Sequence, residues 1–236
     1  FKTYFEQFTY EKDLSVPFPE RQVKFSMHLK DKYRTEHFSF QQKEKYLADI
    51  CTIYNKVWAD FHEDYTPLEY EDIEKMMRSA RSILNEEFIW FVYDGETPVA
   101  LVVVFPDANQ ILKKLGNGKL SFLNILKFLW YKHTGTITRA RQLLTAVIPE
   151  YQRSGVTGLL FLTMVDALKK NKIKVLEMSW VGDYNITVNK IYRLLDLPVV
   201  RKHITFRYMF DRSREVVRFT NVHTEKYKRV IEGPQS

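Results

Sequence analysis

The run Leu143, Leu144, Thr145, Ala146, Val147, Ile148 constrains this chain more than any other stretch. A short apolar run of this kind reads as a strand covered on both faces. Pro149 ends it, because proline has no N–H to give to a ladder. A basic turn follows, Gln152-Arg153-Ser154, and Gly155 and Gly158 flank the opening of an apolar-periodic helix that reaches Lys170. Strand, tight turn and helix start together leave unpaired N–H groups and the positive dipole end at one edge of a sheet. That is a seat for a phosphate.

An anionic partner suits the overall charge, which is +7 over 236 residues with a pI near 9.2. Nucleic acid, an anionic membrane surface and a phosphorylated small ligand all satisfy that charge, and so does solubility alone. The single cysteine, Cys51, excludes an internal disulfide framework and fits a reducing cytosol; its helical apolar setting reads as a structural thiol. No apolar run reaches the ~18–20 residues of a membrane span, and no secretory leader opens the chain, so a cytoplasmic location is expected. The first residue is Phe1, which places the expected native start upstream. His62, His133 and His203 stand alone without ligand spacing, so no metal is expected.

Residues 1–10 alternate aromatic and polar side chains, as a strand does, and residues 11–20, with Pro17 and Pro19, read as a linker. Val23, Phe25, Met27 and Leu29 alternate again and predict the first strand of a domain. Helical spacing runs over 41–61. Thr66-Pro67-Leu68-Glu69 combines an N-cap, a first-position proline and a capping-box acid, predicting a helix to about Leu84. Two β-rich runs, 88–93 and 99–105, meet at Asp94-Gly95, a hairpin signal. Residues 107–134 interrupt the pattern with a short helix, a Gly116-Asn117-Gly118 turn and an apolar segment at 121–131. That segment reads as a helix packed over the sheet. A lid over a greasy substrate and an interfacial membrane contact are the alternatives, the latter disfavoured by having only Lys127 and Lys132 as cations. A strand at 174–180, a helix at 185–195, a strand at 199–210 and a polar tail with a strand at 216–222 complete the chain. The domain reading is therefore 1–20 as strand and linker, 21–210 as the main domain, and 211–236 as the tail.

This element order, joined to the turn, resembles the GNAT superfamily of acyl-CoA-dependent N-acyltransferases. The family's turn, Gln/Arg-x-x-Gly-x-Gly/Ala, stands here as Gln152-Arg153-Ser154-Gly155-Val156-Thr157, with Thr157 in place of the last small residue. About thirty residues on, the family carries an Asn, a Tyr seven positions later and then Leu-Gly-Phe. Asn185, Tyr192 and Leu195 hold that frame, while Asp196 and Leu197 depart from Gly-Phe. The resemblance covers roughly residues 23–210. It implies an α/β (α+β) fold, a GNAT-like mixed central sheet flanked by helices, with a helical insertion before the central strand. Some relatives carry two GNAT-like halves, and residues 1–10 resemble the closing strand of a preceding half.

The resemblance also implies the chemistry. Backbone N–H groups of Gln152, Arg153, Ser154, Gly155, Val156, Thr157 and Gly158 would cradle the pyrophosphate of acetyl-CoA or another acyl-CoA as co-substrate. Arg153 either adds a cation or is an ordinary exposed turn residue. Main-chain groups of Val147 and Ile148 would pair with the pantetheine arm, and one of their N–H groups would polarise the thioester carbonyl. Asn185 would bond the pantetheine, cap its helix, or do both. Tyr192, which periodicity alone reads as a core tyrosine at an inward helical position, is through its register with Asn185 the expected general acid for the departing thiolate. Glu150 and Glu177 are the candidate bases, each equally readable as a solvated or ion-paired acid. Trp58, Phe61, Trp90 and Trp180 are candidates for the wall of the acceptor pocket.

The expected activity is acyl transfer from CoA to a primary amine by direct attack. The rivals are an inactive GNAT-like binding module, which Thr157 and Asp196 keep open, and an aminoacyl-tRNA-dependent transferase. The expected partners are acyl-CoA and an amine acceptor, with no nucleic acid and no stable membrane insertion. A homodimer or a preceding GNAT-like half is a further allowed partner.

Overall fold

A computed structural model describes residues 1–59, 65–115 and 121–219. Seven strands form one mixed sheet: β1 (Lys2–Asp13), β2 (Arg34–His37), β3 (Ile89–Asp94), β4 (Thr97–Pro106), β5 (Arg139–Val147), β6 (Val175–Gly182) and β7 (Val199–Arg207). Their spatial order is β2-β3-β4-β5-β6-β1-β7. Every neighbouring pair is antiparallel except β5 and β6, which are parallel. Among the described residues seven α-helices accompany the sheet: α1 (Glu20–His28), α2 (Lys43–Trp58), α3 (Tyr70–Ala80), α4 (Asn109–Leu115), α5 (Phe122–His133), α6 (Val156–Lys170) and α7 (Ile186–Leu194). The mixed sheet, its flanking helices and the helical insertion before the central strand agree with the expected fold class.

The hydrophobic pattern explains most of this. The middles of β3 and β4 are buried, Phe91–Tyr93 and Val99–Val102, and their Asp94-Gly95 turn closes with Gly95 at φ +58°. In α6, Leu159, Leu160, Phe161, Met164, Val165 and Leu168 are buried, which seals one face of the sheet. Cys51 is half-buried on α2, and burial pushes its thiol pKa up, as suits a packed rather than a reactive group.

Three local expectations are corrected. Residues 23–29, read as a strand, lie largely in α1. Pro19 precedes that helix and Glu20 opens its first turn, while Val23, Ser26 and Leu29 recur at helical spacing on the packed side. The strand at one edge of the sheet is instead the short polar β2, which nothing in its alternation marked. The helix expected from Thr66 begins at Tyr70, after an extended Glu69, because Asn55 of α2 engages the Leu68 backbone: its Oδ1 accepts from Leu68 N at 2.8 Å and its Nδ2 donates to Leu68 O at 3.1 Å. α5 is not laid over the sheet; it packs on α4 and exposes most of its apolar side chains. The Gly116-Asn117-Gly118 turn lies outside the described residues. So does the end of the strand expected at 216–222; Val216–Phe219 is not strand, although Phe219 N donates to Tyr4 O at 2.9 Å.

The aromatic strand at the start of the chain finds two neighbours. β1 lies inside the sheet, with β6 on one edge and β7 on the other.

Candidate functional site

β5 and β6 begin as partners and then part. Their pairing covers Arg139–Gln142 against Val175–Met178 and stops there. Each strand carries an irregularity at that point. Val103 and Val104 of β4 face Leu144 and Gln142, so Leu143 is an extra residue on β5. Tyr10 and Phe8 of β1 face Met178 and Val181, so β6 likewise carries one extra residue at 179–180. A bulge adds twist and ends regular pairing. Two bulges facing each other open a wedge between the strands.

The backbone on the β5 side of the wedge is set by the β4 ladder. Ile148 N donates to Val99 O at 3.0 Å. In an antiparallel pair the bonded residues alternate, so Ala146 and Leu144 also face β4, while Thr145 and Val147 turn their N–H and C=O into the wedge. The Ile148 N–H, expected to be open to a ligand, is thus already engaged, while the Val147 N–H turns away from β4. Val147 O accepts a hydrogen bond from Gln152 Nε2 at 3.3 Å, which ties the turn to the strand end.

The turn itself is a short helical stretch, Pro149–Tyr151, followed by Gly155 in the left-handed region at φ +85° as N-cap of α6. The N–H groups of Gln152, Ser154 and Gly158 bond Pro149, Tyr151 and Gly155 carbonyls, and Val156 N reaches Ser154 Oγ at 3.4 Å. Those of Arg153, Gly155 and Thr157 find no acceptor among the described residues. They are the free donors of the helix N-terminus, and the Arg153 side chain is exposed beside them. The two glycines have a packing role as well. A Cβ on Gly155 would overlap the Phe25 ring and Leu29 of α1, and one on Gly158 would overlap Ser26 Oγ. α1 thus sits against the first turn of α6, an element whose part here the sequence reading missed.

Tyr192 is buried at 3% exposure under the point of parting. Its phenol oxygen accepts from Gln142 Nε2 at 2.9 Å, and its ring meets Tyr10 and Phe161 edge-on at 5.1 and 6.1 Å. Burial raises its pKa well above the ordinary tyrosine value, against the opposing pull of the Gln142 donor, so it stays protonated at neutral pH. Gln142, itself 6% exposed, leaves its Oε1 without a partner, and Thr145 Oγ1 is a second buried unpartnered atom. Both belong to the β5 side of the wedge. Orphaned buried acceptors are rare, and these two suit a ligand that brings N–H or O–H groups.

Asn185 caps α7, its Oδ1 accepting from Val188 N at 3.2 Å. One turn on, Asn189 is the polar centre of the region: it donates to Gly182 O and Asn185 O, both at 2.8 Å, and accepts from Tyr10 OH at 2.7 Å. The Asn185–Tyr192 spacing therefore places a cap at one end of α7 and a buried phenol two turns later. The departure at Asp196 keeps its turn. Asp196 takes φ +53° where glycine is usual, and Leu197 N returns to Tyr192 O at 3.0 Å.

The candidate bases are not brought to Tyr192. Glu177 lies on the opposite face of β6 from Met178, ion-paired with Arg139 at 3.5 Å and Arg141 at 3.4 Å; Arg139 also pairs with Glu11. Glu150 is exposed beyond the end of β5. The tryptophans are dispersed. Trp58 stacks on Tyr54 at 4.6 Å, and Trp90 donates to Glu87 O at 2.7 Å. Trp90 also lines a groove of about 580 Å³, together with Arg34, Asp166 and Lys170, that contains no wedge residue. Trp180, 56% exposed, stands in the β6 bulge at the wedge. Phe61 and His62 lie outside the described residues.

The fold is that of the GCN5-related N-acetyltransferases, or GNAT proteins. A GCN5-related N-acetyltransferase from Sphaerobacter thermophilus superposes with a TM-score of 0.55 at 10% identity, over 86% of this chain and 51% of that one. An aminoglycoside acetyltransferase from an uncultured soil metagenomic sample gives 0.51 at 10% identity, over 78% of this chain and 99% of its own. A tandem GNAT protein of clavulanic acid biosynthesis gives 0.50, over 86% and 53%.

In sequence, the chain is 27% identical over 143 residues to Protein YghO of Escherichia coli K12, which is 59% of this chain and 36% of that protein. It is 25% identical over 150 residues to the bacterial ceramide synthase of Caulobacter vibrioides, 61% of this chain and 38% of that protein. The chain thus matches somewhat over a third of the length of these curated relatives. No protein-family model matches it.

Proposed function

We propose that this chain is an acyl-CoA-dependent N-acyltransferase. The observation that supports this reading best is the wedge. A parallel strand pair is opened by two bulges, its free β5 backbone leads to the α6 N-terminus, and a protonated phenol lies beneath it.

In this reading the free N–H groups of Arg153, Gly155 and Thr157, with those of the surrounding turn, hold the CoA pyrophosphate. The pantetheine arm adds to β5 as a strand would, through the backbone of Thr145. The Val147 N–H then serves as the donor for the thioester oxygen. The acceptor amine attacks the carbonyl carbon, a C–N bond forms and the C–S bond breaks. The thiolate takes a proton from Tyr192, the nitrogen gives one up to water, and water returns a proton to the Tyr192 phenolate once the thiol has left. Neither Glu150 nor Glu177 is needed for that balance. The catalytic unit comprises the sheet with β1 included, and acetyl-CoA or a longer acyl-CoA is the donor.

A finer reading concerns the acceptor. One relative is named as a ceramide synthase, and ceramides are N-acylated long-chain amines. A long-chain primary amine suits a chain with so apolar an exposed helix as α5. The experiment is calorimetry with acetyl-CoA and palmitoyl-CoA, followed by thiol release with a small amine and a long-chain amino alcohol. Binding and thiol release together carry the proposal. Absence of binding to either donor ends it in favour of a GNAT-like binding module.

A further inference from the structure

Six large apolar side chains of α5 face water. Phe122, Leu123, Ile125, Leu126, Leu129 and Trp130 are 44–74% exposed, whereas the buried residue of this helix is the polar Asn124. At about 100° per residue the six fill one continuous arc of roughly 160°, and Asn124, Phe128 and Tyr131 fall on the other side. The pattern is the inverse of a helix that covers a core.

The charge of the segment that carries this arc is of one sign, although Glu86 and Glu87 line a cavity with Phe128 and Lys132 on the other side of the helix. Residues 108–149 contain seven Lys and Arg and not one Asp or Glu. The whole chain has 36 basic and 29 acidic residues, so the remainder balances at 29 against 29 and this stretch carries the entire +7. Lys127 and Lys132 border the apolar arc on its two sides. α4, packed against α5, adds Lys113, Lys114 and the half-exposed Leu112. No carboxylate within the stretch is present to neutralise them.

An apolar stripe edged by unneutralised lysines matches one surface in both respects, a bilayer with anionic headgroups. The helix is too short to do more than lie on it: twelve residues span about 18 Å, against roughly 30 Å of hydrocarbon. Among the described residues no helix is long and apolar enough to cross a membrane. The place in the fold is also suitable. α5 leads into the Arg139 end of β5, and the anion-binding turn follows its Val147 end, about 26 Å away by strand rise. A docked α5 leaves the turn open to water.

We propose that α5 is an interfacial anchor. It docks the protein on anionic membrane with Phe122, Leu126 and Trp130 at the acyl boundary and Lys113, Lys114, Lys127 and Lys132 among the headgroups. The anchor stands on exposure and charge, independently of acyl transfer.

The test is flotation of the chain with vesicles of phosphatidylcholine alone and of phosphatidylcholine with about one third phosphatidylglycerol. The expected result is at least about tenfold more protein floating with the anionic vesicles, reversed by high salt. Leu126→Ser with Trp130→Ser should abolish flotation. Lys113→Glu with Lys114→Glu should remove the preference for anionic lipid without changing the melting temperature, and it decides the matter should the apolar variant fail to fold. No flotation of the wild type overturns the proposal, as does equal flotation of the charge-reversed variant. A dimer in solution that Leu126→Ser with Trp130→Ser dissolves also overturns it, because a second copy would then be what covers α5.

Discussion

Gln142 and Tyr192 are joined by a 2.9 Å hydrogen bond at the place where β5 leaves β6. Gln142 is the last residue of β5 that pairs with β6, and Tyr192 closes the wedge from below. Their contact links the geometry of the opening to the group that holds a proton.

Tyr192→Phe is expected to lower turnover by roughly tenfold to a thousandfold while leaving acyl-CoA affinity nearly unchanged, the scale of lost general-acid help. It also strands Gln142 Nε2, so stability should fall by about 1–2 kcal/mol. Thiol-release kinetics and a denaturant curve measured side by side check both. Full turnover in the variant would remove Tyr192 from the chemistry.

Gln142→Met separates the two roles of that side chain. It deletes an orphaned acceptor along with a donor, so stability should change by less than about 1.5 kcal/mol. If Gln142 Oε1 awaits a donor group on the ligand, acyl-CoA binding should weaken by about tenfold, as loss of one hydrogen bond implies. Titration calorimetry on the variant reads this directly.

Gly158→Ala should destabilise the protein by about 1–3 kcal/mol, since its methyl group meets Ser26 Oγ of a buried serine. Ser26→Ala removes that oxygen and leaves a Cβ at 3.6 Å, an ordinary contact. The double variant should therefore recover most of the loss. Non-additive melting temperatures would establish that α1 packs on the first turn of α6, and simple additivity would refute it.

Arg153→Ala should weaken acyl-CoA binding by about threefold to tenfold and flatten its salt dependence, because an exposed cation acts through a screened field. The fold should be unaffected. Affinity that does not change would return Arg153 to the status of an ordinary turn residue.

The pH dependence of stability has two arms. Burial first of all holds the Tyr93 and Tyr192 phenols above their unfolded pKa of about 10. A raised pKa means that folding favours the protonated form, so their contribution is whole below pH ~10 and is lost as pH climbs above it. Glu87 is shifted the other way, by hydrogen bonds from Lys170 and then from Asn171. Its contribution is present above about pH 4.3 and is lost as pH falls through the depressed value. Urea midpoints from pH 3 to 11, the range these pKa values bracket, should show both declines, and Glu87→Gln should shrink the acid one.

What could be read from the sequence was whatever depends on short range. The hairpin at Asp94-Gly95 and the central strand announce themselves through local turn chemistry or periodicity, and the spacing from Asn185 to Tyr192 through its resemblance to the family's motif. α1 misled because its alternation of Val23, Phe25, Met27 and Leu29 fits a strand as well as a helix; Pro19 and Glu20 were the better signal. The bulges at Leu143 and at residues 179–180 were invisible, since a bulge is a relation between two strands and not a property of one. Asn189 and Gln142 were missed for a similar cause: their partners, Tyr10 and Tyr192, lie 179 and 50 residues away. The one signal available for Gln142 was a lone amide beside an apolar run.

The position of β1 has a consequence for how the molecule comes to exist. Among the strands of this sequence β1 is made first, yet both of its partners are made last: β6 starts about 160 residues later, and β7 follows it. At about 5–20 residues per second, a ribosome needs roughly 10–30 seconds after β1 to supply the strands that flank it in this sheet. No intermediate that lacks residues 175–207 can give it its native neighbours. The pairing that closes the sheet is therefore also the one that closes its longest loop, and until it forms β1 lacks the neighbours that cover its edges in this sheet.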